Sequence, residues 1–211
     1  LLHTPSEQPL IAQIWGARPE NFYAAARELA SGEFGPFVGI DLNMGCPMAH
    51  INGQGGGAKL MCDTDGACGL VEQVVSAVSI PVTVKMRLGW DSTRLNAPVL
   101  AREFERLGVA AVTIHGRTRA QGFHGSVSID GIRAVVEAVD RIPIIGNGDV
   151  RTPQQALESH FGINAVAQNQ RVDEEADQLL DLGATPVGKI GTDSHVFLRE
   201  SRMLKTDSNT M

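Results

Sequence analysis

The chain has 211 residues, of which 43% are hydrophobic and 20% are charged, a composition typical of one globular domain with a sizeable core. Its formal net charge of -6 argues against a broad nucleic-acid interface, because phosphate binding depends on Lys and Arg. No apolar run reaches the roughly 20 residues of a membrane helix, and the N-terminus lacks a signal-peptide pattern, so we expect a cytoplasmic location and no membrane partner. The three cysteines fit neither a zinc pair nor a disulfide framework, which predicts reduced thiols and no metal.

Short runs rich in Val and Ile alternate along the chain with helical patterns. The predicted strands are residues 9–14, 37–42, 80–86, 110–114 and 142–146, with a weaker sixth at 163–167. The predicted helices are residues 19–30, 64–77, 95–107, 129–139 and 152–159. The nearly continuous apolar character of the strands predicts a parallel sheet that is buried on both faces.

Polar residues at the strand ends distinguish the two folds that this alternation allows. An open doubly wound sheet collects ligand groups at one switch point, whereas a closed barrel collects them from every strand on one rim. Five strands contribute polar residues here, namely Gln13, Asn43 with Cys46, Lys85 with Arg87, His115 with Arg117, and Asn147 with Asp149. The predicted fold class is therefore α/β, a (β/α)8 TIM-type barrel that is incomplete in this chain, with five to six βα units.

Five motifs follow one another along the chain in a specific order. They are Asp41-Leu-Asn-Met-Gly-Cys-Pro47, Gly53-Gln-Gly-Gly-Gly-Ala58, Val84-Lys-Met-Arg-Leu-Gly89, Thr113-Ile-His-Gly-Arg-Thr118 and Ile145-Gly-Asn-Gly-Asp-Val150. In this order and spacing, the chain resembles the tRNA-dihydrouridine synthases over roughly residues 4–159. The resemblance implies an FMN-bearing barrel that reduces the C5=C6 bond of a uridine in tRNA to dihydrouridine. The resemblance further implies that reduced FMN delivers hydride to C6 and that NADPH restores the flavin.

Cys46 lies in a tight turn between Gly45 and Pro47 at a strand end. Reduction of uracil needs a proton at C5 as well as hydride at C6, so the site needs an acid. A free thiol has a pKa of about 8.5, so it is mostly protonated at neutral pH and still acidic enough to protonate an enolate. The alternative for a free cysteine is a small buried hydrophobic residue. The turn favours the first interpretation and the resemblance implies the same role, so Cys46 is the predicted catalytic acid.

Lys85 and His115 are predicted to bind the cofactor. A lysine at the end of a buried strand needs either solvent or an anion, because an unpaired buried ammonium is costly. A cation near N1 and O2 of the flavin favours the reduced ring, whereas the alternative for Lys85 is an ordinary surface lysine. The ring of His115, at the end of a predicted strand, can donate a hydrogen bond to the flavin or to its phosphate, and the alternative is a structural or surface histidine.

Two further groups of residues complete the predicted cofactor site. The resemblance implies that Gln13 and Asn43 form hydrogen bonds with the flavin ring. Asn147, Gly148 and Asp149 form a glycine-containing turn between a strand and a helix, which is typical of phosphate binding, although a plain structural turn is the alternative.

Arg87 and Arg117 are the predicted substrate-binding residues, through contacts with the base or phosphates of tRNA. A solvent-exposed arginine is the alternative for Arg87, and a contact with the FMN phosphate is the alternative for Arg117. The glycine-rich segment at residues 52–57 has no nucleotide-binding fingerprint. It is interpreted as a mobile loop that faces the substrate.

The resemblance also implies segments that this sequence does not show. The family opens with an additional strand, and after residue 163 it continues with a Gly-Arg phosphate motif and a helical tRNA-binding domain. Arg171 is at best a displaced substitute for that motif. We therefore expect residues 1–167 to be the FMN-binding barrel portion and residues 168–211 to be a divergent polar segment, partly helical at 173–182 or loosely ordered.

Two alternative functions stay open on the sequence alone. One is another FMN-barrel oxidoreductase that acts on a small molecule, which would suit the acidic charge. The other is an inactive family remnant that folds or binds a partner without turnover.

Overall fold

The computed structural model describes residues 9–149 and a strand at Arg202–Lys205. The strands are β1 (Leu10–Trp15), β2 (Phe37–Met44), β3 (Val82–Arg87), β4 (Ala111–His115), β5 (Ile144–Asn147) and β6 (Arg202–Lys205). The α-helices are α1 (Pro19–Ala30), α2 (Ala49–Gly53), α3 (Thr64–Ala77), α4 (Ala97–Arg106) and α5 (Ile129–Val136). A 3-10 helix, Gly57–Cys62, lies between α2 and α3.

The strands form one parallel sheet in the order β5-β4-β3-β2-β1-β6. Consecutive strands from β1 to β5 are neighbours and are connected through helices, which is the pattern of part of a TIM barrel. The predicted α/β fold class is therefore confirmed. The strands that the structure describes form an open sheet and do not close a barrel.

The side chains of the strands alternate between an apolar face and a polar face. The apolar face is fully buried against α1, α3, α4 and α5, and includes Ala12, Ile14, Ile40, Leu42, Met44, Val84, Met86, Val112 and Ile114. The polar residues between them in sequence point to the opposite face, and include Gln13, Asp41, Asn43, Thr83, Lys85, Arg87, His115 and Asn147. Gln13, Asp41, Arg87 and Asn147 on this face are also buried, so both faces of the sheet have buried positions, as expected. The expected continuous apolar character is wrong for these strands, because their sequences alternate.

Each of the strands β1 to β5 ends one or two residues later than the sequence predicts. The pairing continues through the polar residues, because the backbone hydrogen bonds of a strand do not depend on apolar side chains. The register places Asn43 opposite Lys85, Arg87 opposite His115, and His115 opposite Asn147. These side chains thus extend from regular strands, which fix their spacing.

The strand β6 was not predicted. It pairs in parallel with β1, so it supplies partners for backbone groups on that edge of the sheet. The helices predicted at residues 152–159 and 173–182, and the strand predicted at 163–167, lie outside the described residues. Within the parts described, no helix has the length and apolar character needed to cross a bilayer.

Glu105 attaches the loop before β5 to helix α4. Its buried carboxylate accepts hydrogen bonds from the backbone N–H groups of Asp140, Arg141 and Ile142 at 3.0, 2.5 and 3.1 Å. Burial alone would raise the pKa of this carboxyl, but the three donors together hold the pKa of Glu105 below its ordinary value. The loop that leads into β5 is thereby fixed to the core.

We expect Glu105→Gln to lower the free energy of unfolding at pH 7 by roughly 2 kcal/mol, because hydrogen bonds to a charged group contribute about 1.5–3 kcal/mol. The folded-state pKa is lowered, so the carboxylate stabilises the wild type above the unfolded pKa of about 4.3 and loses this effect as the pH falls through the folded pKa. Urea unfolding at pH 7 and at acidic pH measures both effects. Glu103→Gln, at a partly exposed position of α4, is the control; equal losses in the two variants would contradict the anchoring role.

Candidate active site

Cys46 lies in a turn that Asn43 shapes from the end of β2. Asn43 Oδ1 accepts hydrogen bonds from the backbone N–H groups of Gly45, at 3.2 Å, and Cys46, at 3.0 Å. A Cβ atom at Gly45 would lie 3.3 Å from the backbone of Met86, so this turn packs closely against β3. The thiol of Cys46 is free and half-buried at the C-terminal end of the sheet.

A second asparagine, Asn52, also supports the Cys46 turn. Asn52 Nδ2 donates to the carbonyl oxygens of Cys46, at 2.9 Å, and Gly56, at 3.0 Å. A Cβ atom at Gly56 would lie 2.5 Å from the carbonyl oxygen of Gly16, and one at Gly57 would lie 2.8 Å from that of Cys46. Residues 52–57 were predicted to form a mobile loop that faces the substrate. Gly53 and Gln54 are exposed, so the substrate-facing part stays a prediction, whereas the rest of the segment is packed. Its glycines allow close packing beneath Cys46, and Asn52, Gly56 and Gly57 are buried.

Asn43 also connects the Cys46 turn to a buried carboxylate. Asn43 Nδ2 donates to Gln13 Oε1 at 2.9 Å, and Gln13 Nε2 donates to Asp41 at 2.6 Å. Thr83 Oγ1 donates to the other oxygen of Asp41 at 2.7 Å. This network fixes the orientation of both amides. Asp41 was not among the predicted site residues, although its position two residues before Asn43, on the same strand face, was a usable signal.

Burial raises the pKa of Asp41 to about 6, although the hydrogen bonds from Gln13 and Thr83 and the charge of Lys85 oppose this shift. Lys85 is half-buried beside this carboxyl. Burial lowers the pKa of Lys85, Asp41 opposes that shift, and Arg87 adds to it. Within residues 9–149, the ammonium of Lys85 forms neither a hydrogen bond nor an ion pair with a protein group. A half-buried ammonium in this position suits a bound anion.

Arg87 is almost completely buried, with 2% exposure. Its guanidinium donates to the carbonyl oxygens of Gly45 and Thr118, each at 2.9 Å, and Gly122, at 2.7 Å. It also lies over the ring of Phe123, 5.4 Å from the centroid. Arg87 therefore connects the Cys46 turn to the loop after β4, and its predicted contact with substrate stays a prediction.

Arg117 is also buried, with 5% exposure. It donates to both carboxylate oxygens of Asp149 at 2.8 Å and to the carbonyl oxygens of His124 and Gly125 at 3.2 and 2.6 Å. Asp149 in turn accepts from the backbone N–H of Val127 at 2.9 Å. Arg117 thus holds the loop after β4 against the turn after β5. Its predicted contact with RNA also stays a prediction.

His115 is neutral, and its hydrogen-bond roles are set by a neighbour. Burial, together with the charges of Arg87, Lys85 and Arg117, lowers the pKa of His115 to about 4. Arg117 Nη1 lies 3.2 Å from His115 Nε2. Because a guanidinium can only donate, Nε2 must accept, which assigns the ring proton to Nδ1. His115 therefore offers one N–H donor at Nδ1.

The turn after β5 contains the remaining predicted cofactor residues. Asn147 is buried at the end of the strand. Gly148 has a φ of +115°, and a Cβ atom there would lie 2.5 Å from Val127 Cγ1, so only glycine fits. Asp149 follows with a φ of 59° and accepts the bonds from Arg117. The structure thus brings the predicted residues of five strands to one end of the sheet.

The other cysteines are also free: Cys62 is exposed and Cys68 is half-buried. Among the described residues, no group of three or more His, Cys, Asp or Glu side chains could hold a metal ion.

Asp41→Asn tests the buried carboxylate. Its raised pKa means that the folded state favours the protonated form, so the wild type loses stability as the pH rises from about 4 to above the folded pKa of about 6. Removal of the charge should reduce this loss by up to roughly 3 kcal/mol, since one pKa unit corresponds to about 1.4 kcal/mol. Urea unfolding between pH 4 and pH 7 measures how the free energy of unfolding of each variant changes with pH. Asp65→Asn, at an exposed position of α3, is the control; an unchanged pH dependence in Asp41→Asn would contradict the assignment.

Comparisons with known proteins agree with the motifs. The model of the dihydrouridine synthase (Dus) family matches residues 1–167. A probable tRNA-dihydrouridine synthase of Rhizobium leguminosarum bv. phaseoli is 47% identical over 151 residues, which cover 72% of this chain and 46% of the relative. The tRNA-dihydrouridine synthase B of Xanthomonas campestris pv. campestris is 38% identical over 166 residues, which cover 78% of this chain and 49% of the relative. The chain spans about half the length of these curated relatives.

Solved structures show only a slight likeness. A 2,3-dimethylmalate lyase aligns with a TM-score of 0.46 and 21% identity, over 78% of this chain and 53% of that one. A phosphoenolpyruvate phosphomutase from Streptomyces platensis subsp. rosaceus aligns with a TM-score of 0.43 and 20% identity, over 65% of this chain and 49% of that one. Neither likeness supports a conclusion about function. The family match, in contrast, includes the Cys46 turn and all five strands that carry the candidate site, and the chain belongs to the dihydrouridine synthase family.

Proposed function

We propose that this protein reduces the C5=C6 bond of a uridine in tRNA, with FMN as the hydride carrier and NADPH as the reductant. Membership of the dihydrouridine synthase family supports a tRNA-modifying enzyme. The observation that carries the proposal is the position of Cys46 at the same sheet end as Lys85, an ammonium that forms no ion pair within residues 9–149. A thiol beside an anion-binding cation is what a flavin-dependent uracil reduction requires.

The donor set at this end of the sheet fits FMN. Lys85 would hold the N1 and O2 edge of the ring, because a cation there stabilises the reduced, negatively charged flavin. His115 Nδ1–H would donate to the ring or its phosphate, and the Asn147–Asp149 turn would hold the phosphate. When bound, FMN supplies the hydride for C6 of the uracil.

Gln13 and Asn43 have hydrogen-bonding capacity left for the ring edge. Each side-chain amide has two N–H groups, of which one is used: Asn43 donates to Gln13, and Gln13 donates to Asp41. One N–H group per amide is therefore available for a carbonyl or ring nitrogen of the cofactor. The Asp41 network would keep both groups directed to the same place.

Cys46 would supply the proton for C5. Its turn is held by Asn43 on one side and Asn52 on the other, so the sulfur has a defined position at the rim. Lys85 and Arg87 interact favourably with the negative charge that a Cys46 thiolate carries. The two cations would therefore stabilise the thiolate that remains after proton transfer.

Arg87 and Arg117 would act on the substrate mainly through the loops that they hold, since their N–H groups bond to backbone carbonyls, His115 and Asp149. In this proposal residues 1–167 form the FMN-binding barrel portion, and residues 168–211 are a divergent polar segment that contributes β6 to the edge of the sheet. A tRNA substrate accords with a cytoplasmic location.

The cofactor and substrate can be tested together. The purified chain is mixed with FMN, and the unbound FMN is then removed. We expect the protein to retain the visible absorption bands of oxidised flavin at near-stoichiometric occupancy. With NADPH it should form dihydrouridine in unmodified tRNA. A protein that takes up no FMN would contradict the proposal and support an inactive remnant. A flavoprotein that oxidises NADPH with a small molecule but leaves tRNA unchanged would support the alternative function, an FMN-barrel oxidoreductase that acts on a small molecule.

Cys46→Ala tests the acid. Loss of a general acid typically costs 10²–10⁴-fold in rate, so we expect dihydrouridine formation to fall by about that factor. FMN content and the NADPH-dependent bleaching of the flavin should stay at wild-type levels, because the thiol is needed only for the proton. Cys62→Ala, which removes an exposed free thiol, is the matched control. Equal tRNA reduction by the two variants would refute the role of Cys46.

A further inference from the structure

Three cations surround the ring of Trp90, outside the residues assigned to the flavin. Arg119 Cζ lies 4.6 Å from the ring centroid, Lys59 Nζ lies 5.2 Å from it, and Arg94 Cζ lies 6.0 Å from it. We call these four residues the Trp90 cluster. They belong to segments that follow β2, β3 and β4, so the cluster lies at the same end of the sheet as Cys46.

The charges of the Trp90 cluster are only partly compensated. Arg94 forms an ion pair with Asp91 at 2.6 Å. Neither Lys59 nor Arg119 forms an ion pair within the described part of the chain. Two cations that share one aromatic ring repel each other, and a bound anion would remove that repulsion. This concentration of positive charge is notable because the chain has a net charge of -6.

The cluster is connected to the Cys46 turn through one side chain. Arg119 Nε donates to Asn52 Oδ1 at 2.9 Å, and Asn52 Nδ2 donates to the carbonyl oxygen of Cys46 at 2.9 Å. An anion bound at Lys59 and Arg119 would therefore lie next to the segment that positions the thiol. Because this position is so close to Cys46, we expect the anion to be part of the substrate whose uracil reaches the thiol.

We propose that the Trp90 cluster binds a backbone phosphate of the RNA beside the uridine that enters the site. Lys and Arg side chains are the groups that neutralise nucleic-acid phosphates. The inference rests on the proposed function, because it takes RNA as the substrate. The phosphate of FMN has the same chemistry as an RNA phosphate, so the experiment must separate the two.

The test compares Lys59→Gln with Arg141→Gln. Lys59 is exposed, so its replacement should leave the fold intact, and Arg141 is an exposed cation of equal charge before β5, at the other end of the sheet. Fluorescence anisotropy gives the Kd of the full chain for end-labelled, unmodified tRNA over a series of KCl concentrations. We expect Lys59→Gln to raise the Kd severalfold and to reduce the slope of log Kd against log salt by about 0.7–0.9, the effect of one lost phosphate contact. Lys59→Arg should restore both values, and Arg141→Gln should change neither.

Three results would overturn the inference. They are a wild type that does not bind tRNA, a Lys59→Gln variant with an unchanged Kd and salt slope, and a variant that loses affinity for FMN while its tRNA binding is unchanged. The last result would assign the cluster to the cofactor phosphate. If Lys59→Gln alters tRNA binding as expected but the wild type forms no dihydrouridine, the inference stands and the proposed function fails.

Discussion

The alternation of side chains along in-register parallel strands is the constraint on which the site depends. Val84 and Met86 are fully buried against the helices, so Lys85 between them must point to the opposite face. The register then places Lys85 opposite Asn43, and His115 opposite Arg87. A shift of one residue would exchange the two faces and bury the ammonium of Lys85 in the apolar core. Packing of the core thus specifies the polar layer of the site.

The charges of the polar layer compensate one another only in part. Asp149 compensates Arg117 directly, and Asp41 lies near Lys85 without an ion pair. Arg87 is stabilised by backbone carbonyl oxygens, which carry no net charge. The site consequently keeps an excess of positive charge next to Cys46. Burial, and after it this excess of positive charge, lowers the pKa of His115 to about 4 and keeps the ring neutral. The same excess suits a reduced flavin as well as the phosphates of RNA.

Much of this arrangement could be predicted from the sequence, since apolar runs locate strands and polar residues at their ends locate a rim. The exact strand ends could not, because ladder hydrogen bonds continue through Asn43 and His115 whatever their polarity. The burial of Arg87 depends on carbonyl oxygens distant in sequence, at Thr118 and Gly122, which no local pattern reveals. The close packing of Gly56 and Gly57 could not be predicted, because glycine allows both flexibility and close packing, and only the contacts with Gly16 and Cys46 decide between them.

The two asparagines on either side of Cys46 connect the separate parts of the site. Asn43 joins the turn to the Gln13–Asp41 network, which faces the proposed flavin position. Asn52 joins the same turn to Arg119 and hence to the Trp90 cluster. The Cys46 turn is therefore held from both sides. One side is the region proposed to bind FMN, and the other is the region proposed to bind an RNA phosphate. In the proposed function, such an arrangement would let a net acidic chain act on a polyanion, because the few uncompensated cations are concentrated where the phosphates and the proton donor would meet.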